Sequence, residues 1–171
     1  MKLTMRLGAR SYDIILKRGA LKNLSALINL NRKVFIVTDS GVPAEYAETV
    51  RAQCREGVVY TVPQGEGSKS LAMYQKLLEA MLEAGFGRSD AVVAVGGGVV
   101  GDLAGFVAAT YMRGVDFINC PTTTLSQIDS SIGGKVAVDL GRTKNIVGAF
   151  WQPKLVVVDP DTLATLPRRH F

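Results

Sequence analysis

The strongest chemical signal in the sequence is a glycine loop at residues 96–102, Gly-Gly-Gly-Val-Val-Gly-Asp. Gly96, Gly98 and Gly101 have the spacing G-x-G-x-x-G, between a buried apolar run at 91–95 and a helical pattern that continues to about residue 110. Glycines let a diphosphate approach the backbone, and the first turn of a helix presents unpaired N–H groups. The loop therefore predicts a dinucleotide or phosphate site, although a tight turn with close helix–sheet packing would have the same pattern.

A dinucleotide site also needs an acid for the ribose hydroxyls. In the common dinucleotide fold the glycine loop follows the first strand, and the acid comes about 20 residues later. Here the loop follows the third predicted parallel strand, and Asp116 is the only acid near that spacing. Asp39, at the end of an earlier strand, is the better candidate. Its carboxylate could accept two ribose hydrogen bonds or cap the following turn.

A second glycine-containing loop, at residues 64–70, places Glu66 and Lys69 before a helix that begins near Ser70. The lysine could hold a phosphate and the glutamate a ribose hydroxyl, or the loop could simply cap the helix. The Walker spacing G-x-x-x-x-G-K-[ST] fails here and at Gly133-Gly134-Lys135, which argues against a P-loop NTPase.

The segment from 120 to 135 is rich in small hydroxyl side chains, which could bind a cofactor or cap a helix. Asp129, Lys135, Lys144, Asn145 and Arg113 stand in or near this glycine-rich region. Each alone is typical of an exposed surface. Together they predict a site for a polyanion that carries phosphate and carboxylate groups.

The elements that must position these residues alternate between strand and helix. Apolar runs predict strands at 34–38, 58–62, 91–95, 117–120 and 155–158, and helical spacing predicts helices at 21–30, after residue 43, at 71–84 and to about 110. Alternation of this kind indicates an α/β fold, a Rossmann-like parallel sheet with helices on both faces. Residues 1–16 predict an added N-terminal β-hairpin. Ligands of such sheets bind at the carboxyl ends of the strands, where the loops described above lie.

Composition limits the possible classes of protein. With 171 residues, 47% apolar and 20% charged, we expect a single domain over residues 1–171. The net charge of +5 favours anionic ligands, but it is too small and too dispersed to indicate nucleic acid. Two cysteines and one histidine exclude a disulfide scaffold and a His-rich metal site within the chain. There is no targeting or membrane-spanning segment, so we expect a soluble, cytoplasmic protein.

These segments, in this order, resemble the 3-dehydroquinate synthase family. The matching segments are Gly-Glu-x-x-Lys-Ser (65–70), Gly-Gly-Gly-Val-Val-Gly-Asp-Leu-x-Gly-Phe (96–106), Tyr-x-Arg-Gly (111–114), Pro-Thr-Thr (121–123), Ser-Gln-x-Asp-Ser-Ser-Ile-Gly-Gly-Lys (126–135), Lys-Asn-x-x-Gly-Ala-Phe (144–150) and Thr-Leu-x-Thr-Leu-Pro (162–167). The resemblance extends over essentially the whole chain from Asp39 onward.

The resemblance implies an NAD-dependent, metal-dependent lyase of the shikimate pathway, which leads to chorismate and the aromatic amino acids. Such an enzyme converts 3-deoxy-D-arabino-heptulosonate 7-phosphate to 3-dehydroquinate and phosphate. NAD⁺ transiently oxidises the C5 hydroxyl and is regenerated. The small-molecule sugar phosphate is the expected partner, with no nucleic acid or membrane, and the intact enzyme is expected to be a homodimer.

Site roles follow from the resemblance by position. The expected NAD contacts are Asp39, Glu66, Lys69, Gly97, Gly98, Val99, Val100, Gly101, Asp102, Thr122, Thr123, Lys135, Lys144, Thr162 and Thr165. Asp129, Lys135 and Asn145 are the expected catalytic and substrate-binding residues, and Arg113 is expected to reach the substrate phosphate of the neighbouring subunit. One position departs from the family pattern, because an Asn that often follows the strand-end Asp by two is here Gly41.

The largest departure concerns length. The family continues into a helical C-terminal domain whose one Glu and two His bind Zn or Co, whereas this sequence stops at residue 171. We therefore expect the NAD-binding half of a longer enzyme, without metal ligands, inactive alone and binding NAD at best weakly. The alternatives are a related cyclase of the 2-deoxy-scyllo-inosose synthase type and a non-catalytic dinucleotide-binding module. The blocks at 126–135 and 144–150 argue against an iron-type polyol dehydrogenase.

Overall fold

A computed structural model describes residues 1–171. The strands are β1 (Lys2–Met5), β2 (Tyr12–Leu16), β3 (Lys33–Asp39), β4 (Glu56–Val62), β5 (Ala91–Gly96), β6 (Asp116–Pro121), β7 (Lys135–Leu140), β8 (Thr143–Phe150) and β9 (Leu155–Val158). The α-helices are α1 (Leu24–Leu27), α2 (Ala44–Arg51), α3 (Leu71–Glu83) and α4 (Gly98–Thr110). Short 3₁₀ helices lie at Gly8–Arg10, Ala20–Asn23, Glu66–Ser68, Tyr111–Arg113, Pro160–Thr165 and Arg168–His170, and a π-helix lies at Ser126–Ser130.

Seven strands form one sheet in the order β1-β2-β9-β6-β5-β3-β4, and every pairing except β1 with β2 is parallel. The predicted α/β class and the N-terminal hairpin are therefore confirmed. The predicted place of the glycine loop among the parallel strands is corrected. Because β2 pairs parallel with β9, the hairpin belongs to the main sheet, and the glycine loop follows the fourth rather than the third strand of the parallel set.

Alternating residues of β3 enter two separate cores, as expected for a strand buried on both faces. Phe35 and Val37 pack with α3, α4 and β7, whereas Val34 and Ile36 pack with α1 and α2. All four side chains have no exposed surface. This confirms that helices cover both faces of the sheet, and it fixes the carboxyl end of β3 beside that of β5.

Two local predictions differ from the structure. The helix expected at 21–30 is a short 3₁₀ turn followed by α1, and Ile28 is already extended. No strand was predicted between 121 and 155, yet β7 and β8 form an antiparallel hairpin there. The apolar signal of β7 is only Val136 and Val138, which pack beneath α4.

Helix α3 ends where its sequence predicts. Gly85 adopts a φ of 75°, Gly85 N–H donates to Leu82 O, and Phe86 N–H donates to Met81 O. This pair of bonds is the Schellman arrangement, in which a left-handed glycine satisfies the last carbonyl groups. None of the helices is long and apolar enough to cross a membrane.

Candidate functional site

The strand order reverses at β3, which lies between β4 and β5. The chain runs from β3 to its neighbour β4 on one side and then crosses to β5 on the other side of β3. The connections that follow β3 and β5 therefore lead in opposite directions from the carboxyl ends of these two strands. Such a reversal opens a crevice in which α/β proteins bind ligands. Here it opens a cleft of about 590 Å³, which we call the strand-end cleft. Eight predicted cofactor residues line it: Asp39, Gly97, Gly98, Val99, Thr122, Thr123, Thr162 and Thr165.

The glycine loop forms one wall of the strand-end cleft. Gly97 precedes α4, and the first helical hydrogen bond runs from Gly101 N–H to Gly97 O at 3.0 Å. The N–H groups of Gly98, Val99 and Val100 therefore have no backbone acceptor. A Cβ at Gly97 would lie 3.2 Å from the Thr123 methyl group, so only glycine leaves this approach open without displacing a neighbour. Free amides beside a bare backbone fit the diphosphate of a dinucleotide.

Val100 and Gly101 have a packing role in the same turn. Val100 is fully buried in the core and occupies the space that a Cβ at Gly96 would need. Gly101 lies against Asn119, whose Nδ2 would be 3.3 Å from an added Cβ. Neither residue lines the strand-end cleft. Their packing instead fixes the position of α4 beside the cleft.

Asp39 lies at the end of β3, and its Oδ1 accepts a hydrogen bond from Gly41 N–H at 2.8 Å. The turn-capping interpretation is thus observed, while Oδ2 remains unpaired and can accept from a ribose hydroxyl. The side-chain amide of Gln64 fills the space that a Cβ at Gly41 would occupy, and it also lines the cleft. A carboxamide is therefore present beside Asp39, supplied from a position that the sequence analysis did not select.

Two threonines of the strand-end cleft, Thr123 and Thr162, form hydrogen bonds within the protein. Thr123 Oγ1 accepts from Ser126 N–H at 3.3 Å, which is the helix-capping role considered for this segment. The Thr162 hydroxyl donates to Asp159 O at 2.8 Å and accepts from Gln127 Nε2 at 3.1 Å. Because Thr162 is buried, these hydrogen-bond partners fix its position in the wall of the strand-end cleft.

A second cleft, of about 720 Å³, lies between the π-helix and the β7–β8 hairpin, and we call it the hairpin cleft. It brings together Asp102, Asp129, Lys135 and Asn145, four of the predicted residues. Asn145 adopts a left-handed φ of 56°, and its N–H donates to Asp139 Oδ1 at 2.8 Å. Of the five residues predicted to form a polyanion site, the hairpin cleft holds Asp129, Lys135 and Asn145, whereas Lys144 and Arg113 do not line it.

Lys69 and Asp102, in the second turn of α4, form a largely buried ion pair with Nζ 2.6 Å from Oδ2. Lys69 is only 5% exposed and lines neither cleft, so its role in holding a phosphate stays a prediction. Burial raises the pKa of the Asp102 carboxyl, and the Lys69 ammonium partly opposes that rise. Repulsion from the negative charges of Glu66 and Asp139 raises the pKa of Asp102 further.

Besides Lys69, Val100 and Gly101, three predicted residues lie outside both clefts. Glu66 is exposed in a 3₁₀ turn, and Lys144 is exposed on β8. Arg113 follows α4 at the end opposite the glycine loop, about 20 Å away along a helix of 13 residues. Met112 and Arg113 both adopt left-handed conformations, with φ of 49° and 68°. The side chain of Arg113 is exposed, so it is available to a neighbouring molecule.

The sequence analysis missed the contribution of the last residues to the strand-end cleft. Arg169 and His170 line its mouth, and Arg169 Nε donates to His170 Nε2 at 3.2 Å. Tyr46 lines the same cleft, and its hydroxyl is 3.0 Å from Thr165 Oγ1. No spacing rule in the sequence indicates these positions, because they reach the cleft through tertiary folding. No group of three or more His, Cys, Asp or Glu side chains in the chain is arranged to hold a metal ion.

Comparison with known proteins identifies a matching family and several relatives. Residues 59–171 match the family model described as 3-dehydroquinate synthase N-terminal. The chain is 45% identical over 176 residues to the 3-dehydroquinate synthase of Pelobacter propionicus, covering 99% of this chain and 49% of that protein. It is 49% identical over 175 residues to the enzyme of Symbiobacterium thermophilum, covering 98% and 49%. The chain thus spans about half the length of the curated relatives it matches.

Solved structures show the same fold. A 2-deoxy-scyllo-inosose synthase complexed with carbaglucose-6-phosphate, NAD⁺ and Co²⁺ superposes with a TM-score of 0.91 at 30% identity, covering 99% of this chain and 48% of that one. The 2-epi-5-epi-valiolone synthase of Streptomyces hygroscopicus, with NAD⁺ and Zn²⁺ bound, gives a TM-score of 0.85 at 31% identity, covering 97% and 48%.

Proposed function

Because the chain belongs to the 3-dehydroquinate synthase family, we propose that it forms the NAD-binding half of such an enzyme. The reaction is the conversion of 3-deoxy-D-arabino-heptulosonate 7-phosphate to 3-dehydroquinate and phosphate. The single observation that carries the proposal is the glycine-walled cleft at the strand reversal. There, the unpaired amide groups of Gly98 and Val99 and the free oxygen of Asp39 belong to residues that line one 590 Å³ space.

The residues of the strand-end cleft fit NAD⁺ in charge and shape. The amides of Gly98 and Val99 would hold the diphosphate, and Asp39 Oδ2 would accept from an adenosine ribose hydroxyl. The Gln64 carboxamide, beside Asp39, would contact the same nucleoside. When bound, NAD⁺ supplies a hydride acceptor for a substrate hydroxyl group.

The hairpin cleft, on the other side of the first turn of α4, is proposed to receive the substrate. Lys135 would pair with a phosphate or carboxylate oxygen, and Asn145 would donate to a hydroxyl or carboxylate oxygen. Asp129 would accept from a sugar hydroxyl. Asp102, whose pKa is raised by burial, would lie between cofactor and substrate and orient both through hydrogen bonds.

The remaining requirements are proposed by likeness to the relatives. The two solved cyclases contain Co²⁺ or Zn²⁺, and the curated relatives are twice as long as the matched region. We propose that a divalent metal is bound by residues outside positions 1–171. We further propose a cytoplasmic homodimer with no nucleic-acid partner, in which Arg113 reaches the partner's substrate.

A second candidate is a cyclase of the 2-deoxy-scyllo-inosose synthase type, favoured by the TM-score of 0.91. The higher sequence identity to 3-dehydroquinate synthases, 45% and 49% against 30%, favours the first proposal. A dinucleotide-binding module without catalysis is the remaining alternative for the chain by itself.

Phosphate release from the heptulosonate phosphate tests the proposal. The assay would use the 171-residue chain and a chimera in which this chain replaces the N-terminal half of the Symbiobacterium thermophilum relative, each with NAD⁺ and Zn²⁺ or Co²⁺. We expect turnover by the chimera without net NADH, and none by the chain alone. Turnover of a hexose 6-phosphate instead would favour the second candidate, and net NADH formation from glycerol would contradict both cyclase proposals.

A further inference from the structure

The parallel ladder between β6 and β9 stops before the strands end. These two strands pair only at Ile118 with Leu155 and at Asn119 with Val156. On either side the ladders continue further, since β5 pairs with β6 up to Pro121 and β2 pairs with β9 up to Val158. The carboxyl ends of β6 and β9 therefore separate, and the segments that follow them form one wall of the strand-end cleft.

The side chain of Gln127 occupies this gap. Its Nε2 donates to Pro121 O at 3.1 Å and to Asp159 O at 3.2 Å, which are the carbonyl groups at the two separated ends. It also donates to Thr162 Oγ1 at 3.1 Å. Gln127 is only 8% exposed, so all of these bonds lie within the protein. The carboxamide replaces the missing ladder contacts between the two strands.

Gln127 lies on the π-helix, whose widened turn is closed by a bond from Ser131 N–H to Ser126 O at 3.2 Å. Helices of this type are rare and occur frequently at functional sites. The same turn carries Asp129 and Ser130, which line the hairpin cleft. One short element therefore connects the wall of the strand-end cleft with a predicted substrate residue.

We propose that Gln127 is a positioning residue that sets the distance between the Thr122–Thr123 segment and the Thr162–Thr165 segment, and so the width of the cofactor cleft. This inference rests on the proposed function for the identity of the ligand, NAD⁺. The tie between the two segments itself does not depend on the ligand. Gln127 forms no hydrogen bond with the glycine loop or with Asp39, so it acts on binding through the segments it holds.

The test uses Gln127→Met, which keeps the size of the side chain and removes the donor, and Gln75→Met as a matched control. Gln75 is exposed on α3, far from both clefts. Without ligand, hydrogen exchange of the Thr162 amide, which donates to Asp159 O, should accelerate at least about tenfold in Gln127→Met. The amide of Ala84, the residue that follows α3, donates to Ala80 O; it is an internal reference and should not change.

With ligand, NAD⁺ should bind Gln127→Met about tenfold more weakly at a temperature at which the variant is fully folded. Gln127→Glu should be similarly weak at pH 8 and should recover affinity toward pH 6, because a protonated carboxyl regains one donor. The unaltered chain, measured at the same pH values, is the reference for the charged groups near Gln127, which are Asp129, Asp159 and Asp161. A purely structural role would lower the melting temperature without moving either the affinity or its pH dependence.

Unchanged Thr162 exchange in Gln127→Met, or unchanged NAD⁺ affinity despite faster exchange, would overturn the inference. If the unaltered chain does not bind NAD⁺, the proposed function fails. In that case the proposed role of Gln127 in cofactor binding also fails. The hydrogen-exchange data alone then decide whether Gln127 holds the two segments together.

Discussion

The contact between Lys69 and Asp102 bears on the roles predicted for both residues. The family resemblance gave both a cofactor role, but nothing in the sequence could show that they face each other at 2.6 Å. A buried charge is costly unless it is paired, so each residue is tied to the other before any ligand arrives. Asp102 remains at the edge of the hairpin cleft, whereas Lys69 does not reach either cleft.

Removing the lysine should move the Asp102 titration upward. In Lys69→Met the hydrogen bond and the charge that lower the pKa of Asp102 are lost, while burial and the repulsion from Glu66 and Asp139 remain. Carboxyl NMR, with Asp102→Asn used for assignment, should therefore show a higher Asp102 pKa in the variant. An unchanged or lower pKa would mean that the ion pair does not exist in solution.

The raised pKa also has a consequence for stability. A folded state in which the Asp102 pKa lies above the ordinary value of 3.8 binds that proton more tightly than the unfolded state does. The contribution of this group to stability is therefore present at low pH and is lost as the pH rises from 3.8 through the raised folded-state value. Asp102→Asn should remove this slope from the pH dependence of the unfolding free energy, and an identical slope in the variant would contradict the assignment.

At the scale of elements, α4 and the β7–β8 hairpin approach each other because Gly105 has no side chain. A Cβ there would overlap the side chain of Val136 and lie 3.1 Å from the Phe117 ring. We predict that Gly105→Ala lowers the unfolding free energy by about 1–3 kcal/mol through overpacking. The double variant Gly105→Ala/Val136→Ala should lose less than the two single variants together.

Gly67→Ala is the matched control for this prediction, because no atom lies within 4 Å of an added Cβ at Gly67. Denaturant unfolding of the unaltered chain, the two single variants, the double variant and the control measures the unfolding free energies. A Gly105→Ala variant as stable as the unaltered chain would mean that the hairpin packs elsewhere in solution.

The elements that could be predicted are those with strong local signals. Phe35 to Val37 is a continuous apolar run, and Gly85 ends α3 by a left-handed conformation that glycine favours. The β7–β8 hairpin was missed because Thr143 to Ile146 are exposed and its buried face consists mainly of two valines packed on α4. The glycine loop was predictable as a site, whereas Gln64, Arg169 and Gln127 were not, since their positions depend on long-range packing.

At the scale of the whole molecule, several large apolar side chains are exposed near the two clefts. Leu125 and Ile128 are each 72% exposed, Phe150 is 73% exposed and Ile146 is 58% exposed. Apolar surface of this kind favours association. We predict that light scattering shows a mass that rises with concentration for the 171-residue chain.

Ile128→Glu and Phe150→Glu should each reduce this association, because a charge replaces an apolar contact. Leu82→Glu is the matched control, since Leu82 is 71% exposed on α3, away from the clefts, and should leave the association unchanged. A chain that stays monomeric at all concentrations would contradict the prediction.

The most direct test of the central claim is a calorimetric titration of the 171-residue chain with NAD⁺, beside Asp39→Asn and Glu79→Gln. Asparagine keeps the oxygen that caps the turn at Gly41 but loses the charged second oxygen, and Glu79 is exposed on α3. The account predicts binding at one site, weakened about tenfold, or about 1.4 kcal/mol, in Asp39→Asn and unchanged in Glu79→Gln. No binding at millimolar NAD⁺, or equal binding by all three proteins, would contradict the assignment of the strand-end cleft to the cofactor.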